Sequence, residues 1–420
     1  MTNQNMSDTE TSALGRLQIG VYATDVGKPA QNASVQISHT NNNSIIIEEL
    51  VSDSSGQTPT VELAAPPLEY SQNPGEPKPY SEYNLRVMMD GYYPVVIEGV
   101  QILPDVKALQ NIRLRPIKTT TDQTQDIYIK QHTLWGYFPP KIPEDDVKPL
   151  PESLGFVVLP EPVIPEFIVV HDGIPTDTTA QNFYVPFKDY IKNVASCEIY
   201  STWPIETIKA NVLAILSFTL NRVYTEWYRG KGYNFTVTNS TAFDQAFVYE
   251  RNLFEEIAVI VDDIFTSFIT RPGIRQPLFT QYCDGSRTQC PKWLSQWGSK
   301  NLGEQGYNSI DILRNYYGQD IFLMEAKKVE GVPLSYPGTA LETGTTGESV
   351  RTIQEQLNTI SNNYPAINKV RVDGIYGPQT RTAVETFQRI FGLPATGIVD
   401  FATWYQISNI YVAVTKMAEL

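Results

Sequence analysis

A carboxylate that could take part in acid–base chemistry, Glu198, lies at the junction of two predicted helices. Apolar residues recur every three or four positions on both sides of it, which is the spacing of a helix face. The first series is Phe187, Tyr190, Ile191, Val194 and Ala195, and the second is Ile205, Ile208, Val212, Ile215, Thr219, Val223 and Trp227. A carboxylate at this junction is partly shielded from water. Desolvation favours the protonated form that a general acid needs. The alternative is a surface carboxylate at a helix end.

The second apolar series covers about six turns and predicts one long helix with a single buried stripe. Pro204 suits the start of this helix, because an N–H at that position would have no partner within the helix. Glu206 then falls in the first turn, where a negative charge interacts favourably with the helix dipole. The two predicted helices would therefore hold Glu198 in a fixed place.

Four sequence blocks around and after Glu198 carry a family resemblance. Residues 194–210 read Val-Ala-Ser-Cys-Glu-Ile-Tyr-Ser-Thr-Trp-Pro-Ile-Glu-Thr-Ile-Lys-Ala, and further blocks follow at 294–298, 306–307 and 312–318. Together they resemble the stage II sporulation protein D and amidase-enhancer family, over roughly residues 166–321. The resemblance implies an α+β domain at 166–325, related to lytic transglycosylases that cut peptidoglycan glycan strands stripped of peptide. It places the catalytic glutamate of that family at Glu198.

This resemblance implies a mechanism with one carboxyl group. A glycoside hydrolase usually needs two, whereas in a lytic transglycosylase one acid protonates the leaving oxygen and then takes the proton of the sugar's 6-hydroxyl, closing a 1,6-anhydro ring. Asp244 is the nearby candidate for a second group, with a turn or cap role as the alternative. The candidates for a glycan groove could equally be packing or turn residues: Asp244, Gln245, Tyr249, Gln281, Tyr282, Ser295, Gln296 and Trp297. Trp297 is preferred, since an indole face can stack on a sugar ring.

Several positions depart from the family pattern. Leu216 stands where the family usually carries an arginine, and Ile199-Tyr200 replaces a Met-Pro pair. The segment between Cys283 and Ser295 is short and has no histidine near it, so a four-ligand zinc site lacks its parts. We therefore expect neither metal nor cofactor. The alternative of a non-catalytic adaptor, which grips glycan or stimulates an amidase, stays open.

The three cysteines do not make a disulfide-rich scaffold. Cys283 and Cys290 are close enough in sequence to close a small loop, and they are the candidate disulfide of the chain. Cys197 is expected to be a small buried apolar residue beside Glu198.

The region at 338–420 contains a second set of motifs. Asp373-Gly374 predicts a tight turn and Pro378 a helix start. The motifs from Leu341 to Trp404 resemble the peptidoglycan-binding domain built from three short helices. The resemblance implies that peptidoglycan is bound by Asp373, Gly374, Tyr376, Gly377, Thr380, Phe387, Gln388 and Trp404.

The N-terminal region, residues 15–117, predicts an all-β sandwich. Short alternating runs such as Leu17, Ile19 and Val21 are separated by turn residues, as in such folds. Residues 27–35, the turn at 53–56 and residues 90–92 resemble the carboxypeptidase regulatory, transthyretin-like domain, here expected to be a spacer or assembly module. Residues 118–165 are rich in proline, which predicts an extended linker. Its aromatic run at 134–138 is expected to pack on a neighbouring domain.

Composition limits the class of partner. The 420 residues carry a formal net charge of −14, which argues against nucleic acid and anionic membrane surfaces as partners. No apolar run is long enough to insert in a membrane. Residues 1–13 have no signal-peptide pattern, so we expect action inside a mother cell or spore, release by lysis, or export by another route. The chain is thus expected to be a multidomain protein that binds peptidoglycan glycan strands in a cell wall or spore. A structural protein of a spore layer or phage-tail-like particle is a further alternative.

Overall fold

The computed structural model describes residues 13–23, 28–40, 42–75, 77–117, 125–148, 162–328 and 340–415. Its N-terminal part contains two sheets, which share one cluster of buried apolar side chains. Residues Leu17, Ile19 and Val21 alternate into that cluster from the first strand, as predicted. The strands are β1 (Ala13–Ala23), β2 (Lys28–Pro29), β3 (Ser34–His39), β4 (Asn42–Val51), β5 (Val61–Ala65), β6 (Ser81–Met88), β7 (Val95–Ile102), β8 (Lys107–Leu114) and β9 (Gln125–Tyr128).

The central part mixes helices with short strands. It comprises β10 (Val163–Ile164), β11 (Phe167–His171), β12 (Asn182–Pro186), α1 (Phe187–Glu198), α2 (Ile205–Tyr224), β13 (Val237–Thr238), β14 (Leu253–Phe254), α3 (Glu255–Ile264), β15 (Ser267–Thr270), β16 (Tyr282–Cys283), β17 (Leu294–Ser295), α4 (Gln296–Glu304), α5 (Ser309–Tyr317), β18 (Phe322–Glu325) and β19 (Lys327–Lys328). Helix α1 ends at Glu198, so the predicted junction is confirmed.

Helix α2 differs from the prediction of a single buried stripe. From Ala210 to Tyr224 every residue is buried, because α2 packs against α1, α3, α4, α5 and β15. A helix that is buried on all sides lies at the centre of a core, whereas a helix with one buried stripe lies at its surface. It therefore gives the elements around Glu198 a rigid common base.

The N-terminal and central parts are packed together. Strand β14 pairs antiparallel with β8 of the first N-terminal sheet, through Leu253↔Leu109 and Phe254↔Ala108. Beside this pairing, the Asn252 side chain exchanges two hydrogen bonds with the backbone of Gln101, at 3.0 and 2.9 Å. The N-terminal sheets are therefore fixed on the central part and are not a detached spacer.

The predicted linker requires a correction where the structure describes it. Strand β9 pairs with β7, and residues 131–148, here named the strap, run over the surface of the central part. The backbone N–H of Ile142 donates to Ala242 O at 2.7 Å. Prolines favour an extended backbone without internal hydrogen bonds, and such a backbone can also bind along a domain surface. Residues 118–124 and 149–161 of the predicted linker lie outside the described residues.

A buried charge cluster fastens the strap to α2. The Arg222 side chain is fully buried and donates to Glu144 of the strap at 2.6 and 3.0 Å. Lys148 Nζ lies 2.7 Å from the same carboxylate. Burial opposes the ionisation of Glu144, but its hydrogen bonds with Arg222 and Lys148 outweigh burial and lower its pKa. Burial also lowers the pKa of Lys148 to about 8. The strap is thus attached by charges that are shielded from water.

The C-terminal region is helical and has a separate apolar cluster. Its helices are α6 (Glu348–Ile360), α7 (Pro378–Ile390) and α8 (Phe401–Thr415). Pro378 is the first residue of α7 and Gly374 has a φ of 73°, so the predicted helix start and tight turn are confirmed. Isolated bridges join Leu341 to Val399 and Thr346 to Ile375. The predicted helical C-terminal region is therefore present.

Candidate functional site

Glu198 is the last residue of α1, and only 4% of its surface is exposed. Its Oε1 accepts a hydrogen bond from the Ala246 backbone N–H at 2.9 Å. Its Oε2 accepts one from Thr133 Oγ1 at 3.1 Å and one from Gln296 Nε2 at 3.3 Å. Of these three donors, only the Thr133 hydroxyl can also accept a hydrogen bond from a protonated carboxyl group. The carboxyl group is therefore held in place in both of its protonation states.

An open cleft with a volume of about 400 Å³ leads to this carboxylate. Its walls come from the strap, from the segment between Cys283 and Thr288 and from the start of α4. The lining residues are Thr133, Gly136, Tyr137, Phe138, Pro139, Pro140, Lys141, Glu198, Thr241, Tyr282, Cys283, Asp284, Arg287, Thr288 and Gln296. A buried acid at the base of a mixed polar and apolar cleft is a common arrangement of ligand-binding and catalytic sites.

The strap donates hydrogen bonds to the carbonyl groups at the end of α1. The Thr133 backbone N–H donates to Cys197 O at 3.1 Å. The Thr133 hydroxyl oxygen lies 2.9 Å from the same carbonyl oxygen, so its one hydrogen is shared between Cys197 O and Glu198 Oε2. His132 Nε2 lies 3.2 Å from Ile199 O. Burial lowers the pKa of His132 well below its ordinary value. The Leu134 N–H donates to Nδ1 of this ring at 3.2 Å, so Nε2 carries the hydrogen and donates to Ile199 O. These bonds satisfy helix-end groups that would otherwise lack partners, and they fix the strap beside Glu198.

The opposite wall is a loop closed by a disulfide between Cys283 and Cys290, whose Cα atoms are 5.6 Å apart. Asp284 Oδ1 accepts from the Thr288 N–H at 2.9 Å, and its Oδ2 accepts from Arg287 Nε at 3.0 Å. Arg287 also donates to three strap carbonyls, those of Thr133 at 2.8 Å, Trp135 at 3.1 Å and Gly136 at 2.6 Å. The two walls are therefore joined through one guanidinium group.

Lys141 places a second cationic group in the cleft. Its ammonium group donates to Asp244 O and lies 4.5 Å from the centre of the Tyr282 ring. Burial lowers its pKa, although the negative charges of Glu198 and Asp244 oppose this shift. Together with Arg287, it balances the two carboxylates of the lining, Glu198 and Asp284.

The structure brings two of the predicted groove residues to the cleft, Tyr282 and Gln296. Both are almost fully buried and present only part of their surface to it. Gln281 lies behind the cleft, where its amide group bonds to the strap backbone at Glu144 and Ile142. Gln245 is fully buried and bonds to Thr219 at 2.8 Å. Gln281 and Gln245 are thus packing residues, which was the stated alternative.

Asp244 does not lie beside Glu198 as a second acid. It is fully buried, and its Oδ1 accepts from Arg222 Nε at 2.7 Å. Its Oδ2 accepts from Tyr228 OH at 2.7 Å and from the Thr238 hydroxyl at 2.8 Å. A carboxylate with this many donors is an internal ion-pair partner, and it is unavailable to a substrate.

Trp297 is placed differently from its predicted role. Only 6% of it is exposed, and its ring packs 5.0 Å from Trp203 and 6.1 Å from Tyr200. It has no free face for a sugar. Ser295 is the N-cap of α4 and accepts from the Gly298 N–H at 2.9 Å. Tyr249 lines a different pocket and stacks on Phe183 with ring centres 4.1 Å apart.

Sequence reasoning missed Thr133, Tyr137, Lys141 and Arg287. The first three fall in the predicted linker, where the aromatic run at 134–138 was the only available signal. Their partners are distant in sequence; the bond between Thr133 and Glu198, for example, spans 65 residues. Spacing within a short motif carries no information about such contacts.

The residues assigned to peptidoglycan binding mostly form the interior of the C-terminal region. Tyr376, Thr380, Phe387, Gln388 and Trp404 are at least 97% buried. Gln388 Oε1 accepts a hydrogen bond from the Gly397 N–H, and Gln354 Oε1 accepts one from the Gly374 N–H, both at 2.9 Å. Each glutamine thereby joins its helix to a loop. Asp373 Oδ1 accepts from the Ile375 N–H at 2.9 Å. Gly377 has a φ of −94°, which any residue can adopt. These residues therefore build the fold on which a binding surface would rest.

Comparison with known proteins identifies the C-terminal region. Residues 346–407 match the peptidoglycan binding domain family. A 74-residue stretch is 38% identical to the zinc D-Ala-D-Ala carboxypeptidase of Streptomyces albus G and covers 17% of this chain and 27% of that protein. The chain thus spans about a quarter of the length of this curated relative. The chain therefore carries a peptidoglycan-binding domain in its helical C-terminal region.

Solved structures give weaker likenesses. The SleB N-terminal domain is 29% identical to this chain, and the match covers 17% of this chain and 93% of that one, with a TM-score of 0.16. The 5-hydroxyisourate hydrolase of Klebsiella pneumoniae matches with 14% identity, 24% of this chain, 86% of that chain and a TM-score of 0.17. At these TM-scores the likenesses establish no common fold.

The residues that the structure describes offer neither a metal-binding cluster nor a membrane-spanning helix. No group of three or more His, Cys, Asp or Glu side chains is placed to hold a metal ion there. No helix within the described ranges is long and apolar enough to cross a membrane.

Proposed function

We propose that this protein attaches to peptidoglycan through its C-terminal domain and cuts the glycan strands in the Glu198 cleft, as a lytic transglycosylase does. The observation that carries the proposal is the Glu198 carboxylate at the base of an open cleft of about 400 Å³. The resemblance of residues 166–321 to the stage II sporulation protein D family points to the same residue. A cell-wall or spore-wall location follows from the same proposal.

The cleft supports chemistry with one acid. Glu198 and Asp284 are the carboxylates among its lining residues, and Asp284 is held by its own loop and by Arg287. In the proposed reaction, Glu198 donates its proton to the glycosidic oxygen as the bond from that oxygen to the sugar carbon breaks. The 6-hydroxyl oxygen of the same sugar then attacks that carbon, and its proton passes to Glu198. The acid is regenerated, and no water is consumed.

The central and N-terminal regions can also be assigned to domain families. We propose that residues 166–325 form the sporulation protein D-like domain and that residues 15–117 form the regulatory, transthyretin-like sandwich. The two N-terminal sheets and the helix junction at Glu198 support these assignments. In this arrangement the N-terminal sheets brace the central domain, because β14 joins one of them.

A second candidate is a non-catalytic adaptor that grips glycan. The three hydrogen bonds to Glu198 favour it, since a carboxylate with three donors can also serve only to join α1, α4 and the strap. In that case Glu198 would hold the cleft in shape without transferring a proton.

The two candidates differ in the behaviour of Glu198→Gln. This change keeps the shape of the side chain but removes the transferable proton. Loss of acid–base catalysis typically slows a reaction by about 100- to 10,000-fold. We expect that loss in the release of 1,6-anhydro products from peptide-free glycan strands, measured by mass spectrometry. Circular dichroism and sedimentation with cell-wall sacculi should remain unchanged.

The matched control is Glu62→Gln, which removes an exposed carboxylate on β5. It should release product at the wild-type rate. Equal product from wild type and Glu198→Gln would remove Glu198 from the mechanism. No product from any of the three proteins would favour the adaptor.

A further inference from the structure

We propose that Tyr137 is the sugar-stacking residue of the Glu198 cleft and that the strap, through it, forms part of the substrate site. The inference rests on the proposed use of the cleft by glycan. Tyr137 lines the cleft and is 97% exposed. Trp297, the aromatic residue predicted for this role, is buried in the core.

The backbone that carries Tyr137 is fixed on both sides. Before it, the Gly136 N–H donates to His132 O at 2.8 Å, and Arg287 donates to Gly136 O at 2.6 Å. After it, Pro139 and Pro140 restrict the backbone, and the Ile142 N–H donates to Ala242 O. An aromatic ring presented from a fixed backbone loses little additional freedom when a ligand packs on it.

The surroundings of the ring fit a sugar better than an apolar partner. The Arg287 guanidinium lies 5.9 Å from the centre of the Tyr137 ring, and Phe138 beside it is 37% exposed. Thr133, Thr241 and Asp284 supply further polar groups to the lining of the cleft. A pyranose has an apolar C–H face and a polar edge of hydroxyl groups. An aromatic face beside hydrogen-bonding groups is complementary to both.

Exposure alone does not make Tyr137 a binding residue, since single exposed aromatics are common on protein surfaces. Tyr128 shows the difference. It is 67% exposed on β9 but is not among the residues that line the cleft. It is therefore the matched control for the loss of an exposed tyrosine ring.

The direct test uses the full chain labelled with fluorotyrosine and carrying Glu198→Gln, so that the ligand is not cut. The probe is a peptide-free tetrasaccharide of alternating N-acetylglucosamine and N-acetylmuramic acid. The fluorine resonance that disappears in Tyr137→Phe belongs to Tyr137. We expect this resonance to shift on titration with the tetrasaccharide, while the resonance assigned through Tyr128→Phe stays in place.

Calorimetry on the same background measures the contribution of the ring. Tyr137→Ala should weaken tetrasaccharide binding by roughly two- to tenfold, the size of one aromatic contact. Tyr137→Phe should keep most of the affinity, and Tyr128→Ala should keep all of it. An unshifted Tyr137 resonance, or an equal loss in Tyr137→Ala and Tyr128→Ala, would overturn the assignment.

This result is separable from the fate of the proposed reaction. If the Tyr137 resonance shifts but the wild-type protein releases no anhydro product, Tyr137 is still a sugar contact, and the protein is an adaptor. If wild type releases anhydro product, while the Tyr137 resonance does not shift and Tyr137→Ala binds with unchanged affinity, the proposed reaction stands. In that case Tyr137 is not the sugar contact.

Discussion

Glu198 is positioned by groups from three separate parts of the chain. The strap supplies Thr133, the segment after β13 supplies the Ala246 N–H, and the start of α4 supplies Gln296. Because Thr133 also bonds to Cys197 O, the strap cannot move without disturbing both the carboxylate and the end of its helix. The chemistry expected of Glu198 therefore depends on a segment whose composition resembles that of a linker.

The location of Glu198 could be predicted from sequence, since α1 and α2 are long and periodic on either side of it. Its hydrogen-bond partners could not be predicted, because they lie 48 to 98 residues away. The role proposed for Trp297 was wrong for a related reason. An indole ring packs in a core as readily as on a sugar, and the sequence does not show which neighbours cover it.

At the residue scale, two glycines in the C-terminal domain make a matched pair. Gly374 has a φ of +73°, and a Cβ there would lie 3.1 Å from Gly347 O. Gly377 has a φ of −94° and open space around it. We expect Gly374→Ala to destabilise the domain by about 1–2 kcal/mol, since a side chain disfavours the left-handed region. Gly377→Ala should have little effect or stabilise slightly.

Urea unfolding followed by far-ultraviolet circular dichroism measures both glycine variants. The transition of the C-terminal domain should shift to lower urea concentration in Gly374→Ala alone. Equal shifts in the two variants would show that backbone conformation does not determine the effect.

At the scale of elements, the strap and the disulfide loop act as two walls linked by Arg287. The strap is further attached to α2 through Glu144 and the buried Arg222. Sequence patterns identify helices and strands through their periodic apolar residues, and the strap has no such period. Its attachment instead uses single side chains and backbone groups, which explains why its role was missed. The helices around Glu198, by contrast, were predictable because their apolar residues recur at helical spacing, although α2 is buried on every side and not along one face.

The disulfide should stabilise this arrangement. Replacing both Cys283 and Cys290 by serine should lower the free energy of unfolding by roughly 2–3 kcal/mol, because a small loop is no longer closed in the unfolded chain. The loop would also hold Arg287 less firmly against the strap. Urea unfolding of the double variant measures the loss, and peptide mapping without reduction tests whether the bond forms.

A reducing agent gives the control for the disulfide. It should destabilise wild type by the same amount and leave the double serine variant unchanged, since Cys197 is a buried free thiol in both. Free thiols at both Cys283 and Cys290 in wild type prepared under oxidising conditions would contradict the assignment.

At the scale of the whole molecule, the described residues form three apolar clusters of unequal size. The largest runs through the N-terminal sheets and the central part, and a small one in the central part consists of Phe167, Val169, Tyr228 and Phe235. The buried residues of the third all lie between Leu341 and Ile407. Composition and motifs predicted the helical C-terminal region well, because its turns and helix starts are local features. They did not predict that β14 would join an N-terminal sheet, since that pairing connects residues about 145 positions apart in sequence.

The separate C-terminal cluster leads to the last prediction. A fragment of residues 338–420 should bind insoluble peptidoglycan sacculi by itself. Its apolar core is separate from that of the rest of the protein, and residues 346–407 match the peptidoglycan binding domain family. The fragment carries 6 Lys and Arg against 7 Asp and Glu, so it has no net positive charge to attract an anionic wall. Binding should therefore persist at 1 M salt, where the screening length falls to about 3 Å.

Co-sedimentation with sacculi at low and high salt measures this binding, and a fragment of residues 13–328 is the comparison. If the fragment of residues 338–420 stays in the supernatant at every salt concentration, the C-terminal domain is not sufficient for attachment. If it sediments only at low salt, attachment is electrostatic, and the prediction of salt-independent binding is wrong.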